Sequence, residues 1–299
     1  MGNDPDYIAM NPIGKDIKNL ITKYNKLTTI LDKDAQRLEG VEDEDKLKTE
    51  LKRLRVKADK GFKDLDNIST RWAKLKMHKS FEAGYDLADE YIKRQSEIET
   101  VDGEKLEIFD IRPSDQSLAK KMIRNIKDDT FREVKMINED WKNRFDDIIR
   151  QGIIEGRSLN LTKEPGKLGG VTTKDQIGSR LYQAIKNEGL KLVDSANRRW
   201  QPDKYIKMYA RTRSREFQTA GLEAKMDEHG LDIVKVSDHP HPYDDLCEEY
   251  KGKIFSRSGN SDKYPYLEHK PPYHPNCIHV ITPYIPKYHE EKEKLREIN

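Results

Sequence analysis

Apolar residues recur every three or four positions through the first quarter of the chain. The first series predicts an amphipathic helix that Gly40 ends, although Asp34 interrupts its heptad pattern. It comprises Ile13, Ile17, Leu20, Tyr24, Leu27, Leu31 and Leu38. A second series with the same spacing comprises Leu47, Leu51, Leu54, Ala58, Leu65, Ile68, Trp72 and Leu75. Together they predict an antiparallel helical hairpin, whose stripes pack on each other or on a third helix. The alternatives are an oligomeric coiled coil and a face that docks a partner.

Helical periodicity continues beyond the hairpin. A turn-rich segment from Val101 to Asp115 predicts a boundary, and residues 160–173 predict a flexible loop because they contain Pro-Gly and Gly-Gly pairs. Four further stretches are predicted to be helical, the second as one long helix or two. They are 81–98, 122–149, 177–196 and 205–226.

After Gly230 the pattern changes to short alternating runs with clustered prolines. Residues 232–237, 253–256 and 278–282 predict strands. The fold class is therefore α+β and mostly α: an extended helical N-terminal region and a helical core, then a small β-containing C-terminal unit. The predicted segments are a hairpin and docking region at 1–103, a helical core at 116–228, an α+β unit at 229–285 and a charged tail at 286–299.

Composition narrows the class of protein. Of the 299 residues 34% are hydrophobic and 37% are charged, against about 45–50% and about 25% in typical soluble domains, which argues against a compact all-β or doubly wound α/β body. With 56 Lys and Arg against 54 Asp and Glu, the net charge of +2 excludes a generally cationic nucleic-acid binder. The sequence has no apolar run near the length of a membrane span, and its first residues do not resemble a secretory signal. Folding in the cytoplasm is expected.

Seven of the eight histidines and both cysteines lie within the last 71 residues. Cys and His side chains together suit Zn²⁺, and the segment holds few large aliphatic residues from which to build a core. We therefore predict a structural zinc site with the ligands Cys247, His274, Cys277 and His279. The fourth ligand stays open, because His279 is only two residues from Cys277. The alternatives are His239, His241, His269 and Asp244.

Other chemistry is compatible with the same residues. The two cysteines could be small buried side chains or could form a disulfide, which a reducing cytoplasm disfavours. Cys247 with His274 and Asp244 or Asp245 contains the residue types of a thiol hydrolase triad, but without its local glycine context. An open three-ligand zinc site, with water activated by Glu248 or Glu249, would make a hydrolase or nuclease.

Arginines are dense around residues 198–215. Arg198, Arg199, Arg211 and Arg215 are candidates for phosphate contacts, with Arg211 and Arg215 one helical turn apart. Ion pairs with acidic neighbours such as Glu216 and Glu223 are the simpler explanation.

Five sequence stretches carry a resemblance to a known family. They are 149–158, 205–212, 234–239, Cys-Glu-Glu-Tyr-Lys-Gly-Lys-Ile-Phe at 247–255, and Pro-Tyr-His-Pro-Asn-Cys-Ile-His at 272–279, followed by Pro283-Tyr284. Over residues 140–285 the chain resembles the phage minor capsid protein 2 family, within the head morphogenesis proteins similar to the F protein of phage Mu. The Cys/His residues fall on the C-terminal motif of that family. Ile278 departs from it, because relatives usually have Arg there.

The resemblance implies a minor structural protein in the head of a tailed phage or prophage, present in the virion and assembled in the cytoplasm of the bacterial host. Its implied partners are the portal protein and the major capsid and scaffold proteins, with packaged DNA as a further partner and no membrane. No enzymatic activity is expected. The rival hypotheses are a metal-dependent hydrolase or nuclease that uses the Cys/His cluster, and a DNA-binding ejection protein.

Overall fold

A computed structural model describes residues 14–41, 43–99, 104–109, 116–161, 175–239, 246–275 and 277–298. The helices are α1 (Gly14–Ala35), α2 (Glu44–Lys76), α3 (His78–Ser96), α4 (Gln116–Leu161), α5 (Asp175–Ala184), α6 (Pro202–His229), α7 (Leu246–Tyr250) and α8 (Pro286–Ile298). The strands are β1 (Glu97–Glu99), β2 (Lys105–Glu107), β3 (Leu192–Val193), β4 (Arg199–Trp200), β5 (Ile233–Val236), β6 (Ile254–Ser256) and β7 (Ile281–Pro283). The predicted fold class is confirmed: the chain is mostly helical with small antiparallel sheets.

The chain forms two compact units, and each is discontinuous in sequence. Unit 1 contains Leu75–Asp128 and Met208–Asn299, and unit 2 contains Lys15–Lys74 and Asp129–Lys207. These units cut across the predicted segments, because α2, α4 and α6 each contribute residues to both. In particular, the predicted docking region at 1–103 is divided between them.

The predicted hairpin forms within unit 2. Helices α1 and α2 run antiparallel, since Leu27 contacts the position of Gly61 while Asp34, seven residues later, pairs with Lys57. The apolar stripe of α1 is buried from Ile17 to Leu31 as predicted. On α2 the apolar stripe is buried from Leu47 to Trp72, except that Ile68 is partly exposed. Leu75, the last residue of the stripe, is 50% exposed. The prediction of a buried Leu75 was therefore wrong.

A third helix covers the hairpin inside unit 2. Trp141 and Phe145 of α4 are fully buried, and Trp141 contacts Tyr24 and Phe62 at ring-centroid distances of 6.1 and 5.0 Å. The hydroxyl of Tyr24 donates a hydrogen bond to Asn138 Oδ1 at 2.6 Å, which satisfies a polar pair inside the core. The apolar stripes of the hairpin are thus buried by packing within unit 2. A coiled coil with a partner stays a prediction.

Beyond Ala184 the structure differs from the helix that was predicted over 177–196. The helix ends at Ala184, continues as a π-helical turn from Ile185 to Gly189, and is followed by the short hairpin of β3 and β4. The carbonyl of Gly189 accepts a hydrogen bond from the Trp141 indole at 2.9 Å. Asp194 then organises the hairpin by accepting backbone hydrogen bonds from Ala196 and Arg198. These local bonds satisfy groups that a continuing helix would have used.

In unit 1 the helices α3 and α6 pack closely. A Cβ atom added to Gly84 would clash with the carbonyl oxygen of Gln218, and one added to Gly221 would clash with that of Phe81. Nearby, the hydroxyls of Ser80 and Ser214 are 2.7 Å apart and buried. Small residues on both helices therefore allow the two backbones to approach.

A three-stranded antiparallel sheet lies at the C-terminal end of unit 1, in the order β6-β5-β7. Its core includes Val234, Phe255 and Ile281, together with Leu87 and Leu222 from α3 and α6. The C-terminal residues therefore do not lack a hydrophobic core, as their composition suggested, because helices far away in sequence supply it.

The last helix packs beside the first small hairpin of unit 1. Ile285, directly before α8, is buried with Ile98 and Ile108. The Gln95 side chain connects α3 to this region: its amide donates to the carbonyl of Pro283, and its carbonyl accepts from the Ile285 N–H, both at 2.9 Å. The predicted tail at 286–299 is thus the helix α8 as far as Ile298.

Some predictions fall on residues beyond the described ranges. These are Ile13, His241, Asp244, Asp245 and most of the segments 101–115 and 160–173, although residues 160 and 161 belong to α4. Among the described helices, none combines the length and apolarity that crossing a lipid bilayer requires.

Candidate metal centre

Three short segments of unit 1 position the Cys/His cluster. Cys247 lies on α7, whereas Cys277 and His279 lie in the segment that leads into β7. That segment is attached to the end of β5 by reciprocal hydrogen bonds: Ser237 N–H donates to the carbonyl of Val280 at 2.9 Å, and Val280 N–H donates to Ser237 Oγ at 3.0 Å. The sheet therefore fixes the backbone next to His279.

The structure brings together three of the four predicted ligands. The Sγ atoms of Cys247 and Cys277 are 3.8 Å apart, and Cys277 Sγ is 3.7 Å from His279 Nδ1. One donor atom from each of the three residues lies within 4.8 Å of the others, and all three residues are buried. Cys247 and His279 have no measurable exposure, and Cys277 is 3% exposed.

These distances match the geometry of a tetrahedral zinc site. With Zn–S bonds of about 2.3 Å and Zn–N bonds of about 2.0 Å, two sulfurs are about 3.8 Å apart and a sulfur and a nitrogen about 3.5 Å apart. A disulfide would need an S–S distance of about 2.05 Å, and both cysteines are free thiols. The donor set of two sulfurs and one imidazole nitrogen also has the softness that Zn²⁺ prefers over Mg²⁺ or Ca²⁺. The residues therefore fit a zinc ion.

His274 lies apart from this cluster. Its Nδ1 atom is 2.9 Å from the carbonyl oxygen of Pro275, and its side chain is partly exposed. Its backbone has a different role, since its carbonyl accepts the N–H of Cys277 at 3.0 Å and so closes the turn that presents that thiol. The predicted alternative His269 lies near Tyr250 and Glu268.

Aromatic rings enclose the cluster. The rings of His239 and Tyr273 have their centroids 5.8 and 6.2 Å from that of His279, and Tyr250 stacks on Tyr273 at 5.1 Å. Burial raises the pKa of the Tyr273 hydroxyl well above its usual range, and the proximity of Cys277 adds to this effect. Tyr273 therefore keeps its proton and remains a hydrogen-bond donor beside the thiols.

Arg215 of α6 lies close enough to Cys277 to interact with it electrostatically. It is only 9% exposed, and its Nη1 donates to Gln218 Oε1 at 2.7 Å. Burial lowers the pKa of its guanidinium to about 10, and the proximity of Cys277 acts in the opposite direction. This burial argues against the predicted phosphate contact at Arg215, because the guanidinium has little access to solvent.

The other candidate arginines are more exposed but partly neutralised. Arg198 Nε is 2.7 Å from Asp194 Oδ2, and Arg199 is 3.7 Å from Glu188. Arg211 is exposed, and it does not share a surface with the buried Arg215. A joint phosphate anchor of Arg211 and Arg215 therefore has no support, whereas contacts at Arg198, Arg199 and Arg211 stay predictions.

The two glutamates that would activate water in the alternative of a catalytic zinc site were also located in the structure. Glu248 is paired with Lys251 at 2.6 Å, and Glu249 is exposed.

Two neighbours of the Cys/His cluster were not predicted from the sequence. Tyr273 had a signal, its position directly before His274 in the resembling motif, but Arg215 had none because only folding brings α6 to Cys277.

Comparison with known proteins identifies the chain's relatives. The phage minor capsid protein 2 family matches residues 51–299, which include the whole Cys/His cluster and parts of both units, but not α1. No curated protein and no solved structure matches the chain. Because the match extends over most of the sequence, the chain belongs to the phage minor capsid protein 2 family.

Proposed function

We propose that this protein associates with the portal protein and with capsid and scaffold proteins during assembly of a phage head, and that zinc stabilises its C-terminal region. Family membership supports a structural role in the phage head, presence in the virion and contacts with other head proteins. A structural family also favours a protein without catalytic turnover. The match over residues 51–299 is the observation that carries this proposal.

The hairpin of α1 and α2 is the element that we assign to docking. Its apolar stripes are buried within unit 2, so a partner would meet the outer, charged faces. Lys52, Arg55 and Lys63 of α2 are exposed, and none forms an ion pair with a described residue. Unpaired surface charges of one sign steer association and select partners more than they add affinity. An acidic surface on a neighbouring head protein would complement them.

Co-purification tests this assignment. The full chain is co-expressed with the portal, major capsid and scaffold proteins of the same phage, and the proteins retained on a tagged portal are quantified. The triple variant Lys52→Glu, Arg55→Glu, Lys63→Glu is expected to reduce retention by about tenfold or more, since like charges placed opposite each other cost several kcal/mol. The wild-type chain is expected to be retained and to be present in purified heads by mass spectrometry.

A matched control reverses the same number of charges in unit 1. Arg124, Lys253 and Lys287 are also exposed, so their change to Glu leaves packing intact. Equal loss of retention in both triple variants would contradict docking through the hairpin. Absence of the chain from purified heads and from the portal complex would overturn the proposed assembly role as a whole.

The zinc proposal is tested by metal analysis of protein purified without chelator. One equivalent of zinc is expected in the wild type, and little in Cys277→Ala. Exposed Glu249→Ala, next to the cluster in sequence but not a zinc ligand, provides the matched control and should retain the metal. Wild-type protein that neither contains zinc nor binds added Zn²⁺ would rule out the metal centre.

A further inference from the structure

We propose that His239 is the fourth ligand of the zinc site, which makes the centre a closed site of two cysteines and two histidines. This inference rests on the proposed binding of zinc. It replaces His274 with a residue that lies close to the observed cluster.

The first support is the distance between rings. The centroids of His239 and His279 are 5.8 Å apart, with an angle of 53° between the ring planes. Two imidazoles bound to one tetrahedral ion at about 2.0 Å place their centroids about 5 Å apart. A small adjustment of the His239 side chain therefore suffices.

The second support is an unsatisfied nitrogen. Nε2 of His239 is buried and has no hydrogen-bond partner among the described residues. A buried polar atom without a partner is rare and needs an explanation, such as a water molecule or an ion. A metal bound beside His279 would supply that partner.

The backbone around His239 supports a defined position for it. His239 lies two residues after Ser237, which is hydrogen-bonded to Val280 through both its backbone and its hydroxyl. The same pair of bonds fixes the chain next to His279. The two hydrogen bonds between Ser237 and Val280 thus position both histidines relative to each other.

The proposed set also balances charge and closes the coordination sphere. Two thiolates neutralise Zn²⁺, and two neutral imidazoles complete four ligands, so no position is left for an activated water. The buried Tyr273 hydroxyl, which also lacks a hydrogen-bond partner among the described residues, is suited to donate to a thiolate as an outer contact. Such a centre is structural, whereas a three-ligand centre would be open to substrate.

Cobalt substitution tests the ligand directly. Full-length wild-type protein loaded with Co²⁺ is expected to show the strong visible bands of tetrahedral cobalt. In His239→Ala these bands should weaken towards those of higher coordination, while the thiolate-to-cobalt band in the ultraviolet remains because both cysteines are present. Zinc affinity, measured by competition with a chromophoric chelator, should fall by at least about tenfold, the lower limit for loss of an outer contact.

Three further variants make the result specific. His274→Ala and His241→Ala should keep the wild-type spectrum and affinity. His239→Cys should keep tetrahedral cobalt and gain thiolate-to-cobalt intensity, which a merely structural role of His239 would not produce and which stays informative if His239→Ala does not fold. The assignment would be overturned if His274→Ala or His241→Ala lost the tetrahedral spectrum while His239→Ala retained it.

The outcomes separate the two proposals. Wild-type protein that binds zinc through Cys277 but is unaffected by both His239 variants overturns this inference alone. Wild-type protein that binds neither Zn²⁺ nor Co²⁺ overturns the zinc proposal and this inference with it.

Discussion

Asp34 and Lys57 form an ion pair between α1 and α2, with the Lys57 Nζ atom 2.7 Å from each carboxylate oxygen of Asp34. Asp34 is the residue that interrupts the heptad pattern of α1, and it is only 7% exposed. The interruption in the apolar stripe is therefore compensated by a cation from the facing helix. A second cation is more distant: the Arg37 Nε atom is 3.6 Å from Asp34 Oδ1.

Replacement of Lys57 by Met should destabilise unit 2. The carboxylate of Asp34 would stay buried with only the more distant Arg37, at a cost of about 1–2 kcal/mol after allowance for the partly exposed lysine. Urea unfolding measures the change. The double variant Asp34→Leu, Lys57→Met should recover most of the loss, because it removes the unpaired charge and completes the apolar stripe. A double variant less stable than Lys57→Met would contradict this explanation.

Gly84→Ala should destabilise unit 1 by about 2–3 kcal/mol, because the added methyl group meets the backbone of α6 at Gln218 and cannot be accommodated by a rotamer change. Gly61→Ala in α2 is the matched control. There the methyl group meets the flexible side chain of Leu27, and the gain in helix propensity of about 1 kcal/mol offsets the strain. Thermal unfolding of both variants tests the difference; equal melting temperatures would argue against close backbone packing of α3 and α6.

The β3–β4 hairpin should respond to acid through Asp194. Burial alone would raise the pKa of its carboxyl, but hydrogen bonds from the Arg198 backbone, the Trp200 indole and the Arg198 guanidinium outweigh that effect and lower the pKa to about 2. A depressed pKa means that the carboxylate stabilises the hairpin above the ordinary Asp pKa of about 3.9 and that this contribution is lost as the pH falls to about 2.

Trp200 provides the readout, since its indole N–H donates to Asp194 Oδ2 at 2.9 Å. The indole N–H resonance should shift with a midpoint at about pH 2, the folded-state pKa of Asp194, while the corresponding signal of Trp141 stays constant through the same titration. Asp194→Asn should abolish the transition at Trp200. A transition retained in that variant would assign the acid response to another group.

Arg215→Met should weaken zinc binding and leave DNA retention unchanged. Zinc-bound thiolates keep negative charge density, so the buried guanidinium near Cys277 is a favourable outer neighbour, and loss of such a neighbour costs about 10–100-fold in metal affinity. Chelator competition measures the first effect, and retention on a DNA column at low salt measures the second. Arg211→Met, on the exposed face of α6, is the control and should leave zinc affinity unchanged. The reverse pattern would restore the phosphate-contact hypothesis for Arg215.

The sequence predicts the local elements well because each carries its own signal. The stripe from Ile17 to Leu38 specifies a helix and its buried face without reference to any other segment. The runs around Val234, Phe255 and Thr282 likewise predict all three strands of the sheet to within a few residues. The family resemblance, proposed for residues 140–285, extends further than predicted, since the match begins at residue 51.

Relationships between distant segments could not be predicted in this way. Nothing in the periodicity of α3 indicates that Leu87 completes a core with Ile281, and nothing in the spacing of the arginines indicates that Arg215 faces Cys277. The position of His274 has the same origin: spacing along the chain places it three residues from Cys277, but its side chain is not among the grouped donor atoms of Cys247, Cys277 and His279. The helix predicted over 177–196 failed because the hydrogen bonds of Gly189 and Asp194 compete with helix continuation.

The discontinuity of the two units sets the order in which they can fold during synthesis. All of Lys15–Lys74 and Asp129–Lys207 has been translated before Met208–Asn299, so unit 2 is complete while unit 1 still lacks its sheet. Until then the apolar face of α3, with Leu87 and Ala88, has no strands to cover it. The hairpin of α1 and α2 can therefore fold before the Cys/His cluster exists, and the cluster itself forms only after the residues leading into β7 have been translated.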